Sequence, residues 1–273
     1  MNDMEALTRL LNALRPWQDK LVLVGGWAHR LHRFHKLAGP ASYHAIMTRD
    51  ADFAMPEDTV WSGDIGEALR LAGFHEEFST DYRPPVTRYR LGPEAGGFYA
   101  EFLAPLRGSG VRRDDSPDAT VARAGVTAQK LRHMELLLVN PWRVAWGPNV
   151  GLALENGAEP LIANPVSFIA QKLLIQGSRP PRKRAQDALY IHDTIELFGD
   201  SLEDLGALWR GPVRCSLTGK TARRVENRAI EYTGQASHAF DEAARIPQDR
   251  TLDPRRMQQA CAYGLRILFG PAA

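Results

Sequence analysis

Thr48-Arg49-Asp50-Ala51-Asp52-Phe53 carries two carboxylates one residue apart, with Phe53-Ala54-Met55 running on behind them. In a strand, positions i and i+2 point to the same face, so Asp50 and Asp52 would project together from a segment otherwise suited to burial. Two like charges on one buried face need a counter-charge, and hard oxygen ligands suit Mg²⁺ or Mn²⁺. The pattern also fits a solvated strand end, because charged residues are mostly exposed. A third acid, Glu101, is the single charge in the apolar run Phe98-Tyr99-Ala100-Glu101-Phe102-Leu103. On a buried strand that is costly without a partner. A metal site shared with Asp50 and Asp52 on a neighbouring strand is the natural one.

Other residues point to anions. Leu21 to Val24 is a short apolar run that stops at Gly25-Gly26, which reads as a buried strand turning sharply into a helix. Paired glycines let backbone N–H groups approach a ligand, and the start of the following helix favours negative charge. Glycine pairs also serve as plain punctuation. Trp27 to Lys36 then reads as a helix dense in His29, Arg30, His32, Arg33, His35 and Lys36. Cations beside the histidines repel a metal, so this helix is expected to be solvated or phosphate-facing.

Lys172 sits in an apolar helical run, Phe168-Ile169-Ala170-Gln171-Lys172-Leu173-Leu174, where it either snorkels to solvent or neutralises a triphosphate. Arg179-Pro180-Pro181-Arg182-Lys183-Arg184 puts four cations in six residues ahead of a helix start. Such a run is a phosphate or nucleic-acid contact, or a solvated loop. Asp187 is read in the first turn of that helix, where the dipole favours an acid. Thr218-Gly219-Lys220-Thr221 is not a P-loop, since Arg214 stands where the earlier glycine is required and no buried strand precedes it. No nucleophile elbow supports a serine hydrolase.

These groups need elements to position them. Residues 3–16 read as an amphipathic helix and 63–72 as another, with candidate strands at 74–78, 86–91 and 98–103. Residues 107–118 are polar and expected to be mobile. Residues 129–139 are open between helix and strand, with Leu136-Leu137-Leu138-Val139 favouring a strand at the end, and a hairpin is expected around Asn156-Gly157. Beyond Asn164-Pro165 the periodicity is almost wholly helical, at 166–176, 184–198, 202–209, 221–244 and 254–268. The expected architecture is α+β: a small mixed β-sheet domain flanked by helices over residues 1–163, then an all-helical domain over 164–273 that contributes to the active-site cleft. A hydrophobic content of 44% with 24% charged residues is that of a globular protein, and a net charge of +2 makes no general case for nucleic-acid or membrane binding. Cys215 and Cys261, far apart, exclude a zinc ribbon or disulfide scaffold. With no basic-apolar leader and no membrane-length run, a cytoplasmic protein is expected.

Gly25-Gly26, Thr48-x-Asp50-x-Asp52-Phe53, Glu101, Lys172 and Arg182-Lys183-x4-Asp187 together resemble the polymerase-β-like nucleotidyltransferase superfamily, its bacterial AbiEii/MenT type in particular. The resemblance covers about residues 20–198. It implies an α+β nucleotidyltransferase domain and an enzyme that moves an NMP from an NTP to an acceptor hydroxyl. It implies Mg²⁺ or Mn²⁺ on Asp50, Asp52 and Glu101, and catalytic roles for Lys172 and Asp187. Nucleotide binding would fall to Gly25, Gly26, Thr48, Lys172, Arg182 and Lys183. The acceptor is left open between an RNA or tRNA end, a protein and a small molecule. A toxin or phage-defence role would bring a cognate antitoxin as partner. Trp27 stands where the superfamily usually carries Ser or Thr, which keeps a second reading open: a catalytically silent nucleotide-binding or protein-interaction module of the same fold.

Overall fold

The computed structural model describes residues 2–79, 85–94, 96–144, 159–235 and 237–271. The chain forms two compact units: the first comprises residues 1–28 and 47–163, the second 29–46 and 164–273. The segment 29–46 therefore belongs with the helices rather than with the sheet.

The first unit opens with α1 (Asp3–Ala13), started by a reciprocal cap: the Asn2 side chain accepts from the Glu5 amide at 2.8 Å and Glu5 accepts from the Asn2 amide at 2.9 Å. Its Leu7, Leu10 and Leu11 are buried. Then follow β1 (Val22–Val24), the start of α2 (Gly25–His32), β2 (Asp50–Ala54), α3 (Ile65–Leu71), β3 (His75–Ser79), β4 (Val86–Leu91) and β5 (Phe98–Pro105). The unit closes with β6 (Thr120–Arg123), β7 (Val126–Leu131), α4 (Met134–Leu137), β8 (Trp142–Arg143) and β9 (Leu161–Ile162). The described strands join in one mixed sheet, in the order β3-β4-β5-β2-β1-β9-β8, with β7 against the far end of β5 and β6 against β7. Ala51, Phe53, Ala100 and Phe102 occupy its buried face, Phe53 and Phe102 stacking at 6.0 Å between centroids and Tyr89 meeting Phe102 edge-on at 6.1 Å.

One local expectation changes, and two others are met by contacts or fall outside the description. The Leu136–Val139 run is the end of a short helix rather than a strand, entered through His133 in the left-handed region at φ 66°. The polar stretch 107–118 carries a Val111–Pro117 bridge, and Asp118 is held by Lys130 at 2.6 Å. The hairpin expected at Asn156-Gly157 lies outside the described residues.

The second unit contains α5 (Pro165–Ile175), α6 (Pro181–Leu197), α7 (Leu202–Leu208), α8 (Gly219–Gln235), α9 (Ser237–Ala243) and α10 (Pro254–Phe269). Asn164 caps α5, accepting from the Ser167 amide at 2.8 Å. α6 starts at Pro181, whose fixed φ and missing N–H suit the first helical position. Asp187 is therefore mid-helix and buried, not in the first turn. Of the stretch expected as helix over 221–244, the described residues are helical in α8 and in α9, on either side of residue 236, which lies outside the description.

Candidate active site

The pairing of three strands builds the site. β1 runs antiparallel to β2 with Val24 opposite Asp52, and β2 runs parallel to β5 with Asp50 opposite Tyr99 and Asp52 opposite Glu101. Ala51 and Phe53 are buried on the other side, so the alternation of the strand turns Asp50 and Asp52 to one face. Residues in register on neighbouring strands share a face, which adds Glu101. Because Val24 lies opposite Asp52, the chain makes its Gly25-Gly26 turn beside that carboxylate. Gly25 has φ +64°, and a Cβ built on it would stand 2.5 Å from Asp52 Oδ2. Only glycine satisfies both the backbone angle and the approach. Thr48 lies half-buried in the segment just before β2.

Arg88, which the sequence did not single out, completes this face. It is opposite Glu101 across the antiparallel β4–β5 pair, with Nη1 3.7 Å from Glu101 Oε1 and Nη2 3.1 Å from Glu77 Oε2. Its guanidinium covers the Tyr99 ring at 4.3 Å. Burial, and next the charge of Asp50, push the Glu101 carboxyl above its ordinary range, with Arg88 pulling the other way. The residues fit a divalent cation: three carboxylates on one face offer hard oxygen donors, and a backbone closes on Asp52 where any side chain would intrude.

α2 departs from expectation. His29 and His32 are 3% and 0% exposed, so this side of the helix is neither solvated nor phosphate-facing. His29 stacks on Phe168 at 5.8 Å and meets Tyr190 edge-on at 4.7 Å. Burial, with His32 and Lys172 adding to it, holds its pKa well below the ordinary value and keeps the ring neutral. Residue density in charge misled because a neutral imidazole packs as an aromatic. Trp27 is wholly buried and edge-on to Phe98 at 5.9 Å.

Lys172 and Asp187 meet each other within the second unit. Lys172 Nζ lies 2.5 Å from Asp187 Oδ1, and Arg179 Nε lies 3.3 Å from Oδ2. The ammonium also sits over the rings of Phe168 at 4.6 Å and Tyr190 at 4.7 Å. Burial lowers the Lys172 pKa while Asp187 opposes it. Lys172 is 5% exposed and does not snorkel to solvent. Arg182 and Lys183 are exposed in the first turn of α6.

Among the described residues, the group of three whose ligand atoms all lie within 4.8 Å of one another is His192, Asp193 and Glu196, not the strand carboxylates. The spacing His192-Asp193-x-x-Glu196 on one helix was its signal. Arg250 already supplies the positive charge there: Nη2 is 2.5 Å from Asp193 Oδ1 and Nη1 3.8 Å from Glu196 Oε2. The guanidinium stacks on Tyr43 at 3.7 Å, and the Tyr43 hydroxyl donates to the Asp193 carbonyl at 3.1 Å. This network anchors Tyr43 to α6.

A family model described as Nucleotidyltransferase matches residues 2–211. The chain belongs to this nucleotidyltransferase family. The match takes in the whole sheet unit and the second unit as far as the end of α7, and it gives the chain nucleotidyl transfer as its class of reaction, with an NTP as substrate. The helices α8, α9 and α10 lie beyond it. No curated protein matches the chain. Among solved structures, MenT4, a nucleotidyltransferase toxin from Mycobacterium tuberculosis H37Rv, is similar at 16% identity, covering 99% of this chain and 84% of that one with a TM-score of 0.39. No described helix of this nucleotidyltransferase is long and apolar enough to cross a membrane.

Proposed function

We propose that this nucleotidyltransferase transfers an NMP from an NTP bound with Mg²⁺ or Mn²⁺ to an acceptor hydroxyl, and that Asp50, Asp52 and Glu101 hold the metal. The single observation that carries the reading is the register Val24–Asp52–Glu101, which sets the Gly25 turn against one carboxylate and a second carboxylate beside it. A divalent cation bound there would lower the pKa of the acceptor hydroxyl and offset charge on the phosphates.

The protein's own part is positioning and electrostatics. Gly25 and Gly26 open α2 with backbone N–H groups available to an oxyanion, and Thr48 adds a hydroxyl just before β2. Arg88 restrains Glu101 from its outer side, keeping the carboxylate aimed along the shared face. Lys172, Arg182 and Lys183 are assigned to nucleotide binding on their chemistry, and Asp187 to holding Lys172. The sequence resemblance to the AbiEii/MenT type extends the proposal to a toxin with a cognate antitoxin and to RNA ends among the acceptors.

The test is incubation with each α-labelled NTP, Mg²⁺ or Mn²⁺ and total cellular RNA, beside an Asp50→Asn/Asp52→Asn variant. Label entering RNA or protein, and lost in the variant, supports the reading. Nucleotide binding without labelled product, unchanged in the variant, overturns it in favour of a silent module.

A further inference from the structure

Four neighbouring strands of the first unit carry a charged row across one face of the sheet. Glu77 on β3 is opposite Arg88 on β4, Arg88 is opposite Glu101 on β5, and Glu101 is opposite Asp52 on β2. Neighbouring strands lie about 5 Å apart, so each side chain of the row can meet the next. Arg88 therefore stands between two carboxylates, and it is not shared equally. Its Nη2 donates to Glu77 Oε2 at 3.1 Å, whereas its Nη1 stays 3.7 Å from Glu101 Oε1, longer than a hydrogen bond. We propose that Glu77 is a positioning residue for the metal site: by holding Arg88 short of Glu101, it leaves the Glu101 carboxylate to a divalent cation. The inference rests on the reading of Asp50, Asp52 and Glu101 as the ligands of that cation.

Two further contacts fix Arg88 at that distance. The Tyr99 ring, two residues before Glu101 on the same face of β5, lies under the guanidinium at 4.3 Å, and the Tyr99 hydroxyl donates to the Glu94 carbonyl at 3.1 Å. The other oxygen of Glu77, Oε1, accepts from Arg90 Nε, so one carboxylate spans both arginines of β4.

Folding stability does not account for this arrangement. The Arg88 side chain is 43% exposed and that of Glu77 28%, and ion pairs so open to water contribute little. What the arrangement controls is competition. A guanidinium and a metal ion seek the same carboxylate oxygens, and an arginine drawn fully onto Glu101 would occupy those that a cation needs. At 3.7 Å Arg88 steadies Glu101 without taking it up. Partners of this kind, one shell out from a metal's ligands, typically account for about 10–100-fold in metal affinity.

The test reads Mn²⁺ affinity of the full chain by electron paramagnetic resonance, with α,β-methylene-ATP present so that no turnover occurs. Glu77→Gln keeps the shape and an acceptor oxygen but loses the charge, which lets Arg88 move onto Glu101; Mn²⁺ binding is expected to weaken about tenfold. Glu77→Gln/Arg88→Met removes the competitor and is expected to recover most of that loss. A purely structural Glu77 gives the opposite order, since the second substitution strips another contact from the sheet. Melting temperatures taken alongside confirm that each variant is folded where it is titrated. Unchanged affinity in Glu77→Gln, or a double variant that binds no tighter than Glu77→Gln, would overturn the inference and leave the metal site itself in place. A parent that binds no Mn²⁺, or an Asp50→Asn/Asp52→Asn variant that binds it as tightly as the parent, would instead overturn the ligand assignment and the inference with it.

Discussion

Gly25 and Asp52 are in contact through backbone and carboxylate: a methyl group on Gly25 would stand 2.5 Å from Asp52 Oδ2. Strand pairing forces this meeting, since Val24 is opposite Asp52 and Gly25 follows it. Gly25→Ala must therefore both strain a φ of +64° and displace the carboxylate. We expect a loss of about 1–3 kcal/mol in unfolding free energy, together with loss of nucleotidyl transfer. A variant that keeps full activity would show that the close approach is not needed for the reaction.

Glu101 is strained in a different sense, being pushed toward its protonated form by burial and by Asp50. A carboxyl whose folded pKa is raised contributes stability at low pH and loses it as pH rises through the folded value. Glu101→Gln removes that penalty. The variant is expected to match the parent near pH 4 and to be the more stable of the two at pH 7 and above, while losing transfer activity. Denaturant unfolding at the two pH values checks the crossover.

The Lys172–Asp187 pair has unequal partners. Without Lys172, Asp187 still has Arg179 at 3.3 Å. Without the Asp187 carboxylate, a buried ammonium is left between Phe168 and Tyr190 with no anion. Asp187→Asn should cost about 3–5 kcal/mol and Lys172→Met distinctly less. Equal losses in urea melts would contradict the assignment of Arg179 as second partner.

His29 is neutral in the fold and would be protonated below about pH 6.5 once unfolded. A depressed folded pKa gives stability that is present above the unfolded value and lost as pH falls below it. His29→Phe keeps a ring against Phe168 and Tyr190 and removes the titration. The parent should lose up to ~1.4 kcal/mol per pH unit between pH 6.5 and 5 that the variant retains. Parallel pH profiles would rule out His29 as the source.

Much of the candidate site's local structure was legible because its signals are short. A run of apolar residues ending in Gly25-Gly26, an Asp-x-Asp entering a strand, and one acid in an apolar run each carry their meaning within eight residues. The register that brings them together was not legible: β5 returns beside β2 only after α3, β3 and β4, and no local pattern encodes a parallel pairing. Arg88 was missed for that reason, since it gains its meaning from lying opposite Glu101. In α2 the polar residues were taken for a solvated or phosphate-facing side, and in α6 Asp187 was placed in the first turn. There, buried polar side chains such as His29, Asp187 and Asp193 find partners in rings and guanidinium groups that sequence spacing does not show.

The central claim is that Asp50, Asp52 and Glu101 hold a divalent cation that the reaction requires. Titrating Mn²⁺ into the purified chain with detection by electron paramagnetic resonance, in parallel with labelled-NMP transfer, tests it most directly. The account predicts Mn²⁺ binding in the presence of NTP, transfer that depends on the metal, and loss of both by about 100-fold or more in Asp50→Asn/Asp52→Asn and in Glu101→Gln, with folding intact. Metal binding and transfer that survive in those variants would contradict it.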